Sequence, residues 1–367
     1  MKALKEGSKE GQSLYGKGCL MVLAFIKKQA KGLFPGYFAF IMATGALSIS
    51  CSLLNMGLVS KLLLYVNGVA YLWLWFLTLI RLTSFFPEFW NDLISHTKGP
   101  GFFTLIAGTS MLSSQLIIVG NEPQIALYLW YLAIILWVLI MYLFFTAVTI
   151  RKHKPSLAKG INGAWLIAAV ATHSISIVGT LLVSHVEANH TILLFFTLCM
   201  YFLGCMLYLN IITLIFYRFT FVDFKYASLT PPYWINMGAV AITTLAGSTL
   251  IRHAEYWSLL HEIKPFLKGF TLFFWVTGTW WIPLLFILMV WRYFVHRYPL
   301  SYDPQIWGMV FPLSMYTAGT FQLSKALGVS FLIWIPKVMV FVAMAMWLVA
   351  FGGMCHRVFR VAKETDG

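Results

Sequence analysis

The chain has 367 residues, of which 60% are hydrophobic and only 10% charged, and its formal net charge is +14. Soluble domains are about one quarter charged, whereas here the apolar residues form blocks long enough to cross a bilayer. This composition excludes a disordered protein, a disulfide scaffold and a soluble enzyme. No nucleic-acid partner is predicted, because the cations lie in loops between the apolar blocks, which is the membrane pattern. The sequence predicts an all-α integral membrane protein.

Ten segments are each apolar and long enough to form a transmembrane helix, for which about 20 residues are needed. No insert of domain size separates them, so we predict one transmembrane domain over 35–352, an N-terminal basic tail over 1–34 and a C-terminal tail over 353–367. The ten predicted spans are 35–54, 62–80, 101–119, 124–149, 163–184, 191–217, 232–251, 269–291, 306–323 and 329–352.

The distribution of Lys and Arg predicts the orientation in a cell membrane, plasma or inner. With the N-terminus inside, 20 of the 26 cations lie in cytoplasmic segments, five lie in outer loops, and Lys337 lies within the last span. Positive charge is retained on the cytoplasmic side, so both termini are predicted to be cytoplasmic. The apolar run from Cys19 to Ile26 lacks a cleavage site, which favours an interfacial helix over a signal peptide.

Small and hydroxylic residues alternate between the spans. Gly, Ser and Thr make up 31 of the 99 residues in the odd spans but only 15 of the 119 in the even spans. This pattern predicts five helical hairpins, with an inner ring of five odd helices around a pore and an outer ring of five even helices facing lipid. The alternative is that the small residues serve only helix packing.

The charges narrow the choice of function. All twelve carboxylates lie outside the ten spans, whereas proton-coupled carriers and cation pores usually keep carboxylates at membrane depth. Intramembrane enzymes need clustered acid–base or metal groups, and none is found in the spans, so no enzymatic activity is predicted. A path with neutral hydroxyls, helix dipoles and positive charge favours anions.

Two ionisable groups lie within the spans. His173 either lines the pathway and senses pH or is a neutral residue bonded to a neighbouring helix. Lys337 either extends to the headgroups or attracts anions in a vestibule.

Neither a metal site nor a cofactor is predicted. The outer loop holds His253, Glu255, His261 and Glu262, but their spacing matches no ligand motif, and a solvated amphipathic segment is the simpler interpretation. The five cysteines are scattered and form no C-x-x-C pair.

Four segments in odd spans resemble the tellurite-resistance/dicarboxylate transporter (TehA-like) and plant slow anion channel family, which also includes a malic-acid permease and a sulfite pump. They are FPGYFAFIMATGALSIS (34–50), GAWLIAAVATHSISIVG (163–179), LTPPYWINMGAVAITTLAGSTL (229–250) and WGMVFPLSMYTAGTF (307–321).

The resemblance implies ten helices around a central pore, three protomers per assembly, and a Phe of the ninth helix that plugs the pore. The matching residue is Phe311, and Pro312 after it kinks the helix and directs the ring to the axis. The alternative is that Phe311 simply packs in the bundle. Candidate pore-lining residues, chosen by depth alone, are Thr44, Gly45, Gly108, Thr109, His173, Gly179, Thr244, Gly247, Thr317 and Gly319.

Two functions therefore remain from the sequence. The first is a channel that conducts small inorganic or organic anions through a pore closed by Phe311. The second is a secondary transporter of four-carbon dicarboxylates such as malate, or an exporter of sulfite or tellurite oxyanions. Proton symport would require His173 to carry the proton, because the spans contain no carboxylate.

Overall fold

The structure is a computed structural model that describes residues 24–187 and 189–366, with side chains to residue 360. The described residues form helices and connecting loops without a strand. Of the interfacial helix predicted over Cys19 to Ile26, the part before residue 24 lies outside the described residues, and residues 24–31 are helical. The ten long helices are α1 Ala39–Leu53, α2 Gly57–Ser84, α3 Phe103–Gln115, α4 Pro123–Ile150, α5 Ile167–Leu182, α6 His190–Phe221, α7 Ile235–Arg252, α8 Lys264–Val290, α9 Trp307–Leu327 and α10 Trp334–Asp366.

Nine of these helices, with the turns that extend them, are long and apolar enough to cross a membrane. The exception is α9, which contains Ser, Thr, Gln and Lys residues among its apolar ones. The even helices are longer than the sequence predicted: α2 extends beyond 62–80 at both ends. α10 continues through the segment predicted as a C-terminal tail.

Burial separates the odd helices from the even ones. In the odd helices α1, α3, α5 and α7, 78 to 100% of the most apolar stretch is buried, against 22 to 50% in the five even helices. Each even helix packs against the odd helix before it, so the chain folds as successive hairpins. Helix α1 contacts α3, α3 contacts α5, α5 contacts α7, α7 contacts α9, and α9 contacts α1 again.

Each odd helix begins with a 3-10 turn, and these turns start at Pro or Gly: Pro35–Phe38, Gly99–Phe102, Gly163–Leu166, Pro231–Trp234 and Pro304–Ile306. Proline suits a helix start because the first turn needs no N–H donor. The five turns also contact one another in a closed order. The odd helices are therefore parallel and begin at one face of the bundle, the N-face; they end at the opposite face, the C-face.

An arginine at the N-face end of each even helix bonds to the chain just before the odd helix of the same hairpin. The five guanidinium groups donate to backbone carbonyls in the pairs Arg81–Leu33, Arg151–Ile94, Arg218–Ile161, Arg292–Leu229 and Arg357–Tyr302. We call these bonds the arginine clamps. Carbonyls before a helix have no partner within that helix, so each clamp satisfies a free acceptor and links the two helices of its hairpin.

Three of the clamp arginines, Arg81, Arg218 and Arg292, are buried, and only Arg81 has a carboxylate partner among the described residues. Arg81 pairs with Asp92 at 2.5 Å. No carboxylate among the described residues lies within 4.0 Å of Arg218 or Arg292. The guanidinium of Arg292 instead lies 4.0 Å from the ring centroid of Tyr298, and aromatic faces stabilise cations.

A second set of bonds joins each even helix to the next odd helix. An aromatic side chain on the even helix bonds to a hydroxyl or carbonyl on the odd helix in the pairs Tyr71–Thr109, Trp137–Thr172, Tyr208–Asn236, Trp275–Thr320 and Trp347–Thr44. We call these bonds the aromatic ties. Each even helix therefore lies over the groove between two odd helices, held to one by an arginine clamp and to the other by an aromatic tie.

Candidate functional site

A small cavity lies at the C-face, between the five odd helices. Every odd helix or its extension contributes to the wall. The lining residues are Ile49 of α1, Met111, Ser114 and Ile118 of α3 and its last turn, Ser174, Ile177 and Leu181 of α5, Leu245 and Thr249 of α7, and Gln322 of α9. The cavity is therefore central in the bundle.

The polar groups of the cavity are neutral. Ser114, Ser174, Thr249 and Gln322 are the polar residues in the wall, and the described lining holds neither a carboxylate nor a histidine. A positive charge lies beside the wall, because Arg252 Nη1 donates a hydrogen bond of 2.5 Å to Gln322 Oε1. This combination suits an anion better than a cation.

Several hydroxyls on the odd helices donate to their own helix. In the cavity wall, Thr249 donates to the Leu245 carbonyl at 2.8 Å and Ser174 to the Ala171 carbonyl at 2.7 Å. Thr243, Thr244 and Thr317 make the same bond to the carbonyl four residues earlier. These hydroxyls turn oxygen lone pairs, not protons, toward their surroundings.

Phe311 lies in the second turn of α9 and is buried. It precedes Gln322 by eleven residues, which is about three turns at 3.6 residues per turn, so the two side chains share one face of α9. Met315 and Ala318 lie between them on that face, and both are buried. The face that lines the cavity at Gln322 therefore continues to Phe311, about 16 Å closer to the N-face.

Pro312 lies on a different face of α9, against α7. A Cβ atom added to Gly238 of α7 would lie 2.6 Å from Pro312 Cγ, so the two helices approach closely here. The helix continues through Pro312 to Leu327. The close contact fixes the rotation of α9 and, with it, the direction of Phe311.

The five glycines predicted at the pore lie at close helix contacts. A Cβ at Gly319 would lie 2.7 Å from the Ala241 carbonyl oxygen of α7, and one at Gly179 would lie 2.6 Å from Thr197 of α6. Gly45 abuts Met111, Gly108 abuts Phe38, and Gly247 abuts Tyr201. Helix packing therefore accounts for the missing side chains at these positions.

The four predicted threonines do not lie together. Thr44 and Thr109 accept aromatic ties from α10 and α2, so their hydroxyls face even helices. Thr244 and Thr317 are buried and bond to their own helices, on faces turned away from Leu245 and Gln322. These contacts give no support to a pore-lining role for the four hydroxyls.

His173 is fully buried between α5, α6 and α7. Its Nδ1 atom lies 2.9 Å from the Ala169 carbonyl oxygen, and its Nε2 atom lies 3.6 Å from Cys205 Sγ. Gly204 of α6 leaves room for the ring. Because a carbonyl oxygen only accepts, Nδ1 carries a proton and donates it. These contacts match the interpretation of His173 as a residue bonded within the bundle.

The remaining charged groups that the sequence singled out lie away from the cavity wall. Lys337 Nζ lies 4.7 Å from the ring centroid of Trp334, at the start of the even helix α10. Glu255 pairs with Lys264 at 3.1 Å and with His261 at 3.7 Å, and all three side chains are partly or largely exposed. Burial lowers the pKa of His253, and the charge of Arg252 lowers this pKa further.

Sequence reasoning missed Ser114, Gln322 and Arg252, because it selected small residues by depth and ignored the face of the helix. The sequence does contain a signal that points to Gln322. Stepping from Phe311 by four, three and four residues along α9 leads to Met315, Ala318 and Gln322, the spacing of one helical face.

Membrane-length helices that bury a hydroxyl-bearing set around a cavity are typical of membrane transport proteins, both channels and carriers. A family model described as "voltage-dependent anion channel" matches residues 33–355. The chain belongs to this family.

Curated relatives agree with this assignment. An uncharacterized transporter of Methanocaldococcus jannaschii is 24% identical over 343 residues, which cover 90% of this chain and 96% of the relative. A second one from that organism is 25% identical over 307 residues, covering 80% of this chain and 84% of the relative. An uncharacterized membrane protein of Mycobacterium tuberculosis is 36% identical over 150 residues, covering 41% of this chain and 76% of the relative. The chain is thus a membrane protein of an anion-transport family.

Proposed function

We propose that the chain is an anion channel whose pore follows the axis between α1, α3, α5, α7 and α9. In this proposal α9 also spans the membrane, which brings the number of transmembrane helices to ten. Helix α9 tolerates its polar residues because other helices surround it. The closed order of contacts among the odd helices and the cavity that all five line support an axial pathway. The cavity with the Phe311–Gln322 face is the observation that carries the proposal.

Phe311 is proposed as the plug of this pore. Met315 and Ala318 continue its face toward the cavity, so the pathway narrows from a cavity with polar groups to an apolar throat. An ion loses its hydration in such a throat and gains no polar contact in return, so the pore does not conduct while the ring is in place. Rotation of the Phe311 side chain out of the throat opens the pore.

Anions are the proposed ions for electrostatic reasons. The described cavity wall holds no carboxylate, and Arg252 lies beside it. The net charge of +14 adds a positive field around the pathway. A channel is favoured over a proton-coupled carrier because His173 lies between packed helices and the cavity wall holds no titratable group among its described residues.

Orientation and assembly stay predictions. The Lys and Arg residues of the N-face loops and tails predict that this face, with both termini, lies in the cytoplasm. The cavity then opens to the outside. A homotrimer with one pore per protomer is the assembly that the family resemblance implies, and native mass spectrometry of the purified protein measures it.

Anion flux in proteoliposomes tests the function. We expect Phe311→Ala to raise chloride and nitrate flux at least tenfold over the wild type. Phe274→Ala, which removes a buried ring from the even helix α8, is the matched control and leaves flux unchanged. Size-exclusion chromatography verifies that each variant is folded. No flux of any anion through folded Phe311→Ala would falsify the proposal, and flux that needs a pH gradient would favour the carrier.

A further inference from the structure

We propose that Arg252, Gln322 and Ser114 form an anion-binding site at the C-face mouth of the cavity, which collects a hydrated anion before it reaches the throat. The inference rests on the proposed function for its role, but not for the binding itself. The ligand class is a small inorganic or carboxylate anion.

The charge of the site comes from Arg252. This residue ends α7, its side chain is exposed, and it donates to Gln322 Oε1 at 2.5 Å. No carboxylate among the described residues lies within 4.0 Å of its guanidinium. The nearest acidic residue along the described chain, Glu255, pairs with Lys264 instead. The positive charge of Arg252 is therefore available to a ligand.

Gln322 connects this charge to the cavity. It lines the cavity from α9, and its amide oxygen is occupied by Arg252. Its amide nitrogen is then left as a donor beside the cavity. By holding the guanidinium, Gln322 also orients it, which reduces the entropy lost when an anion binds.

Ser114 completes the site from α3. It lines the same cavity, and its hydroxyl makes no hydrogen bond with the described residues. The other wall hydroxyls differ, because Ser174 and Thr249 donate their protons to their own helices. An anion therefore finds free donors at Arg252, Gln322 and Ser114 but only lone pairs at Ser174 and Thr249, so it binds at the first three residues.

Two substitutions and two controls separate this site from a general effect of charge. Arg252→Gln removes the charge, and Gln322→Leu removes the orienting amide at nearly constant volume. Arg252→Lys keeps the charge. Lys61→Gln removes an exposed charge from the start of α2, outside the cavity wall.

The first measurement is the single-channel conductance in the Phe311→Ala background at low salt. We expect Arg252→Gln to lower the chloride conductance about fivefold, the factor for one unit charge about 4 Å away in water. The loss shrinks at high salt, where the charge is screened. Arg252→Lys retains most of the conductance, and Lys61→Gln retains all of it. Equal conductance in Arg252→Gln and Lys61→Gln overturns the inference.

The second measurement needs no transport. Nitrate titrated into the purified protein in detergent raises the melting temperature of the wild type and of Lys61→Gln, because a bound anion stabilises the folded state. This rise is absent in Arg252→Gln and Gln322→Leu. If the protein conducts no anion but nitrate raises the melting temperature of the wild type and Lys61→Gln alone, the proposed function is refuted and the binding site is supported. Without nitrate stabilisation of the wild type, the site is refuted.

Discussion

Phe311 and Gln322 lie on one face of α9, eleven residues and about three helical turns apart. Gln322 lines the central cavity, and Phe311 is buried below it. The contact of Pro312 with Gly238 of α7 fixes the rotation of this face. The proposed plug therefore predicts that the size of the side chain at 311 controls the width of the throat.

Conductance should follow the volume of residue 311. We expect the order Ala, then Leu, then Phe, with Trp at or below the wild type, because each added group removes space from an apolar throat. Met315→Ala, one turn nearer the cavity, raises conductance less than Phe311→Ala. Planar-bilayer recordings measure this order. A conductance independent of residue 311 would contradict the plug.

The aromatic tie between Trp347 and Thr44 should contribute to stability and not to anion selectivity. The indole Nε1 donates to Thr44 Oγ1 at 3.0 Å between two buried side chains. We expect a double-mutant cycle of Trp347→Phe and Thr44→Val to give a coupling of about 1 kcal/mol, typical of a neutral buried hydrogen bond. Unfolding in detergent measures the coupling. Altered ion selectivity in Thr44→Val would instead indicate that Thr44 lines the pore.

Gly319→Ala should weaken the contact between α9 and α7. The new Cβ would lie 2.7 Å from the Ala241 carbonyl oxygen, and a backbone atom cannot move aside easily. Overpacking of this kind costs about 1–3 kcal/mol. Gly269→Ala in α8, where nothing lies within 4 Å of the new atom, is the control and leaves the melting temperature unchanged or higher. Equal effects of the two substitutions would argue against close packing at Gly319.

The arginine clamps should differ in strength according to burial. Arg292 is buried and donates to the Leu229 carbonyl, whereas Arg151 is exposed and bonds to the Ile94 carbonyl at 3.4 Å. We expect Arg292→Gln to cost about 1.5–3 kcal/mol, the range for hydrogen bonds to charged groups, and Arg151→Gln less than about 1 kcal/mol. Melting in detergent compares them. A reversed order would mean that the carbonyl bonds do not hold the hairpins.

The alternation between buried odd helices and more exposed even helices could be predicted from composition, because it depends on the surroundings of each helix. Lipid-facing helices need Leu, Ile, Phe and Trp, and surrounded helices accept Gly, Ser and Thr. The membrane class and the family assignment were confirmed. The helix ends were less accurate, since a polar residue such as Arg81, which is buried and hydrogen-bonded, continues a helix beyond its apolar part.

The site was harder to predict, because it depends on which way each side chain points. Thr44 and Gln322 both lie in odd helices, but Thr44 faces the indole of Trp347 and Gln322 faces the cavity. Depth in a span cannot distinguish them. The arginine clamps could not be predicted from the sequence either. Each joins residues dozens of positions apart, and its acceptor is a backbone carbonyl, which has no sequence signature.

The hydroxyls of Ser174 and Thr249, which donate their protons to their own helices, have a consequence for ion preference. Water that an ion loses beside these two hydroxyls is not replaced by their protons, so we expect the energy of dehydration to decide which ion crosses. Weakly hydrated nitrate and iodide should then permeate ahead of chloride, and strongly hydrated fluoride and sulfate should lag far behind. Reversal potentials under bi-ionic conditions would reveal this sequence of permeabilities.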